Sequence, residues 1–155
     1  MHKSTLFLAV CLLAAGPAAA GPADNAAAAV THVIDQFNAG DINAFFNAHR
    51  RGALIVDEFA PYVWTGPNSV QRWAGDYAKD ARTRGISGGR MDYARPIRAI
   101  SNGGSAYVIL PTTYRFTQRG KRMAGKGSMT FVMTGGRGHW KIASWTYSGA
   151  VPAPE

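Results

Sequence analysis

The spacing of apolar residues changes at Gly85, and that change limits the fold more than any other feature of the chain. Before it, apolar positions recur three and four apart: Val30, Val33, Ile34 and Phe37; then Ile42, Phe45 and Phe46; then Val70, Trp73, Tyr77 and Ala81. That spacing lines up one face of a helix against a core. After it the period is two, over four strand candidates: Arg90 to Ile100, Ser105 to Gln118, Lys121 to Thr134 and His139 to Ser148. Glycine-rich turns separate them, SNGG at 101–104, RG at 119–120 and GGRG at 135–138. Turns this short join antiparallel neighbours. Helices first and hairpins afterwards specify an α+β domain, with three N-terminal helices packed on a curved, mostly antiparallel sheet.

The helix ends are marked by their own residue types. Asp24 is placed to cap the first helix and Asp41 the second, while Gly40 and Gly85 stop the first and third. Between the second and third helices, Ala53 to Asp57 reads as a strand. Ala60 to Thr65 reads as a short extended piece held by Pro61 and closed by Gly66-Pro67. The third helix starts near Asn68 or Ser69. One domain over 24–149 results, and the proline-rich VPAPE leads us to expect a disordered tail over 150–155.

The first twenty residues have the order of a cleaved secretory signal: Lys3, the apolar run LFLAVCLLAA, Pro17, then Ala18-Ala19-Ala20. The run is too short to span a membrane as a stable helix. Cleavage after Ala20 and a periplasmic or secreted protein are expected. Cys11 is the single cysteine. A mature chain would therefore have none, which excludes disulfides, a CxxC metal site and a cysteine nucleophile. About 130 residues are enough for one domain with its own core.

The formal charge is +8, from 17 Lys and Arg against 9 Asp and Glu. Most of the excess lies between Arg72 and Lys141, where Asp76, Asp80 and Asp92 alone oppose it. A basic surface of this kind can meet an anionic partner. No RRM, KH or helix-turn-helix signature accompanies it, which counts against nucleic acid. Metal and nucleophile motifs fail on spacing. His32, His49 and His139 are far apart, with no HExxH, and no metal or cofactor is expected. GISGG at 85–89 has the letters of a nucleophile elbow, but a helix precedes it and a strand follows, the reverse of what that turn needs. His49 ends the second helix, where an imidazolium would favour the helix dipole.

Taken in order, FNAGD between two helices, ALIVDEF, WTGP before the third helix and the closing HWKIASW resemble the NTF2-like superfamily, with its SnoaL-like and ketosteroid isomerase-like members. The resemblance runs from about Ala26 to Ser148. It implies a cone of helices and bent sheet around a pocket, and possible homodimers through the outer sheet face.

The stretch ALIVDEFAPYVWT, residues 53–65, poses the site question. Neighbours in a strand point to opposite faces, so one of Asp57 and Glu58 faces inward. Both sides of the strand are apolar, and alternation does not choose between them. The resemblance does: in ketosteroid isomerase-like members an aspartate ending this strand moves the proton, and Asp57 falls at that position. Burial would raise its pKa, and a cation such as Arg95 would lower it. Glu58 is then expected to face away. The isomerase pattern also wants a tyrosine where this chain has Val33, and an acid on the strand GKGSMTFVMT, which has none. Without those donors steroid isomerisation loses its electrostatic support; Tyr93, Tyr107, Tyr114 and Ser128 remain as donor candidates. For the pocket wall we expect Tyr62, Trp64, Trp73, Tyr77, Tyr114 and Trp145, with Tyr62 and Trp64 sharing a face. Three functions follow: a pocket for a small apolar or aromatic molecule, an isomerase, lyase or hydrolase using Asp57, and a module whose basic hairpins meet an anionic partner.

Overall fold

The computed structural model describes residues 20–136 and 138–155, so the expected signal segment lies outside the described residues. Helix α1, Pro22–Asn38, starts with proline, and Asp24 lies inside it, its Oδ2 accepting the Gly21 amide at 3.1 Å. It buries Ala26, Val30, Val33 and Ile34. Asp41 caps α2, Ile42–Asn47, by accepting the Ala44 amide at 3.0 Å. Strand β1 is His49–Val56 and β2 is the short Val63–Trp64. Helix α3, Ser69–Arg84, ends at Gly85, whose φ of 67° is the left-handed conformation a glycine takes without strain.

The second half is all strand: β3 Ile86–Tyr93, β4 Arg98–Ser101, β5 Ser105–Gln118, β6 Lys121–Thr134, β7 Lys141–Gly149 and β8 Ala153–Pro154. The main path through the sheet is β2-β1-β7-β6-β5-β3, with β4 also on β5 and β8 also on β6. The β1–β7 pair is parallel and the others are antiparallel. The single strand expected over Arg90 to Ile100 is divided in two. Pro96 lies in the break, since it cannot donate to a ladder.

Register sorts the sheet into two faces. Across it run Trp64, Ile55, Trp145, Phe131, Val108 and Ala99, each paired with the next. Apart from Ala99, which packs against the core from a half-buried position, each is at most 3 % exposed. One residue along, Leu54, Ser144, Val132, Tyr107 and Ile100 make the parallel row on the other face. The first row meets α1, α2 and α3 in one core. Each large side chain buried there contributes on the order of 2–3 kcal/mol. Asn38 ties α1 to the sheet, its amide nitrogen donating to the Met91 carbonyl and its oxygen accepting the Met91 amide, both at 2.8 Å.

The tail expected to be disordered is not free. Beyond the end of β7 the edge of β6 has unpaired backbone groups, and β8 takes them at Met123 and Ala124. Glu155 then forms ion pairs with Arg115 and Arg122. Among the described residues no helix is long and apolar enough to cross a membrane.

Candidate functional site

A cavity of about 540 Å³ lies between the inner sheet face and helices α1 and α3. Asp57 enters it from the end of β1. Trp73 on α3 donates its indole N–H to Asp57 Oδ2 at 2.9 Å, and the Glu58 amide donates to Oδ1 at 2.7 Å. Burial pushes the Asp57 pKa above the usual aspartate value, against these two hydrogen bonds. No cation pairs with it among the described residues; Arg95, the expected partner, is exposed and forms no ion pair with it.

Glu58 does not turn away from this space. It sits at the cavity rim, where Oε1 accepts the Gly149 amide at 2.6 Å. The reason is local. Strand β1 stops at Val56, so Asp57 and Glu58 lie past its end, where a period of two no longer assigns faces.

Across the cavity, Tyr77 and Tyr114 bring their hydroxyls to 2.6 Å. One donates to the other, which leaves a single O–H for anything bound. Burial raises both phenol pKa values, and each also responds to a neighbouring charge or partner. Gly89 makes the pair possible: a Cβ there would stand 2.6 Å from both hydroxyl oxygens. A bulge between Ser87 and Arg90, with Gly88 at φ 62°, sets Gly89 in that place. Tyr147 adds a third phenol on the wall, pushed up to about 12 by burial and then by the charges of Glu58 and Asp57.

Trp73 stacks on Tyr77 with ring centres 5.4 Å apart and meets Trp145 edge-on at 5.0 Å. Trp145 in turn donates to His49 Nε2 at 3.2 Å. An indole nitrogen can only donate, so Nε2 is the acceptor and Nδ1 carries the proton, given to the Phe45 carbonyl at 2.8 Å. Burial lowers the His49 pKa to about 4. The imidazolium expected at the end of α2 is therefore replaced by a buried neutral ring in β1.

Four of the six expected wall residues, Trp73, Tyr77, Tyr114 and Trp145, line the cavity with Asp57. Two do not. Tyr62 is 58 % exposed, at a left-handed φ of 71° after Pro61. It precedes the two-residue β2, so it shares no face with Trp64. Trp64 is buried in the core against Phe59, its indole N–H donated to Asp76 at 2.8 Å. Phe59, Tyr147, His49 and Gly89 were missed. Tyr147 had a signal, since it stands two residues from Trp145 on the same strand; Gly89 had none. Among the described residues no three His, Cys, Asp or Glu side chains come together as a metal site.

Residues 26–154 match the family model for the SnoaL-like domain. The chain belongs to this family. The SnoaL-like chain is also similar in fold to the crystal structure of a ketosteroid isomerase-like protein from Erwinia carotovora atroseptica SCRI1043. The TM-score is 0.69 at 16% identity, over 84% of this chain and 97% of that one. The CaMKII hub of S. rosetta aligns with a TM-score of 0.67 at 16% identity, over 84% and 98%. A type 2 hexachlorocyclohexane dehydrochlorinase, LinA, gives 0.65 at 12% identity, over 83% and 88%. At these identities the likeness is one of NTF2-like fold. No curated protein matches the sequence.

Proposed function

We propose that this SnoaL-like chain binds a small apolar or aromatic molecule in the cavity bounded by Trp73, Tyr77, Tyr114 and Trp145. One observation carries the reading: about 540 Å³ of space lies inside the domain, walled mainly by aromatic and aliphatic side chains with a few polar groups. That is the size and composition of a small-molecule site. Titration with 2-naphthylmethanol, followed by tryptophan fluorescence, should give saturable one-to-one binding. Ala81→Trp, at the cavity wall, should weaken it at least about tenfold, the scale of a lost apolar contact. Linear, unsaturable quenching would sink the proposal.

A second reading has its own support. Asp57 is desolvated, has no cation paired with it among the described residues, and shares the cavity with a phenol pair that has one free O–H. A carboxylate of raised pKa and a donor for developing negative charge are the parts of an isomerase or lyase that moves a proton next to a carbonyl. Tyr77 and Tyr114 would take the donor role from positions other than those the isomerase pattern uses. The ketosteroid isomerase-like protein and the dehydrochlorinase have the same fold, which supports the reading by analogy alone. Deuterium uptake at the α-carbon of 1-tetralone, absent in Asp57→Asn, is the expected result.

Two further points belong to the proposal. The outer row Leu54, Ser144, Val132, Tyr107 and Ile100 holds no charge, which supports a homodimer through that face. The Lys3, apolar run and Ala18-Ala19-Ala20 order supports export, and the recovered protein should have lost about twenty residues by intact mass. The anionic-partner reading is weakened, because Asp92 already bridges Arg90 and Arg115 while Glu155 bridges Arg115 and Arg122.

A further inference from the structure

The charge of the cavity runs against the charge of the protein. The chain has a formal excess of +8. Among the described residues its cavity wall holds three carboxyl groups, Asp57, Glu58 and Asp80, and one guanidinium, Arg84. Arg84 is bonded to Asp80 at 3.2 Å, so the two offset one another. His49 is neutral, because its Nε2 accepts from Trp145. Asp57 and Glu58 are left with hydrogen bonds from an indole and two backbone amides, and no positive charge pairs with them among the described residues. A desolvated carboxylate without a counter-ion is costly to fold around.

We infer that the ligand supplies the missing cation: the cavity takes a lipophilic amine, its apolar body among the aromatic rings and its ammonium against Asp57 and Glu58. This rests on the pocket reading above and gives it a substrate class. The surroundings fit. Phe59, Trp73, Tyr77 and Trp145 line the space with aromatic rings, side chains whose π-systems attract a cation. Tyr77 and Tyr147 both lie within the field of the Asp57 charge, so an ammonium there meets phenol dipoles as well as carboxylates. An organic anion would instead face Asp57, Glu58 and Asp80, with Arg84, the one guanidinium of the wall among the described residues, already engaged.

Three probes of one shape separate the possibilities: 2-naphthylmethylamine as its ammonium ion, 2-naphthylmethanol and 2-naphthoate. Calorimetry on the folded chain at neutral pH should rank them in that order. The ammonium is expected about tenfold or more tighter than the alcohol, the scale of a charge-assisted hydrogen bond with cation–π contact. Asp57→Asn should remove most of that preference and Glu58→Gln a smaller part. Near-UV circular dichroism unchanged from the wild type in both variants shows the aromatic wall intact. Equal affinity for ammonium and alcohol, or a preference for naphthoate, overturns the inference and leaves the pocket reading standing. An ammonium preference that survives Asp57→Asn also overturns it. If none of the three binds, the pocket reading falls too.

Discussion

Ile55 and Leu54 are neighbours in β1, yet one is fully buried and the other 40 % exposed. The whole sheet repeats that contrast. Its inner row, Ile55–Trp145–Phe131–Val108, is large and tightly covered, while the row beside it, Leu54–Ser144–Val132–Tyr107, is half-buried to exposed. Period two gives one set of strands two separate tasks. The inner face holds the domain together and shapes the cavity. The outer face, uncharged along this row, is the one proposed above to meet a second copy.

The largest expected effect tests that division. Trp145→Ala removes a ring that touches Trp73 and leaves His49 Nε2 without a donor. Urea unfolding should show a loss of about 3–5 kcal/mol. Val132→Asp, in the adjoining outer row, should cost the folded monomer under about 1 kcal/mol. If the proposed dimer forms through this face, the same Val132→Asp should convert it to a monomer in sedimentation velocity, because the substitution puts a charge into an otherwise uncharged interface row. Equal destabilisation by the two substitutions would break the comparison.

The next effect is the inner face's response to acid. His49 titrates at about 4 in the folded chain, below its ordinary value of 6.5. The unfolded chain therefore binds a proton that the folded chain refuses. Its contribution is fully present above pH 6.5 and is lost as the pH falls towards 4, by about 3 kcal/mol in total. Urea midpoints between pH 7 and 4 should fall more steeply in the wild type than in His49→Gln. Parallel slopes would mean that the ring is already charged in the fold, against its bond from Trp145.

What the sequence made legible follows from the same period. Strands β5 and β6 run over Ser105–Gln118 and Lys121–Thr134, the spans read from alternation and turns, because glycine turns fix the register at both ends. Trp73 and Tyr77 were readable as one face of a helix, and both reach the cavity. Legibility stopped where regular structure stops. Tyr62 lies in a left-handed turn, where neither period applies. The tail at Ala153–Pro154 pairs with β6 through its backbone, and local composition cannot reveal a free edge supplied by a distant strand. Gly89 matters for the space it leaves to Tyr77 and Tyr114, and no sequence pattern records an absent side chain's neighbours.

The smallest expected effect returns to the boundary between the two faces. Asp57 and Glu58 are adjacent, but the first holds an indole inside the cavity and the second an amide at its rim. Burial raises the Asp57 pKa, so the folded chain holds its proton more firmly than the unfolded chain does. The sign is therefore opposite to that of a salt-bridged aspartate: ionised Asp57 costs stability, and the cost grows as pH rises through the shifted pKa. Asp57→Asn removes the charge, though an amide oxygen can still accept from Trp73. At pH 7 it should stabilise the domain, by about 0.5–1 kcal/mol. Glu58→Gln leaves an acceptor for Gly149 at an exposed position and should change stability by less than that. Carboxyl-detected NMR with the same two variants should show Asp57 titrating above an ordinary aspartate. A normal titration of Asp57, together with a loss of stability in Asp57→Asn, would place that carboxyl in solvent and make the two residues alike.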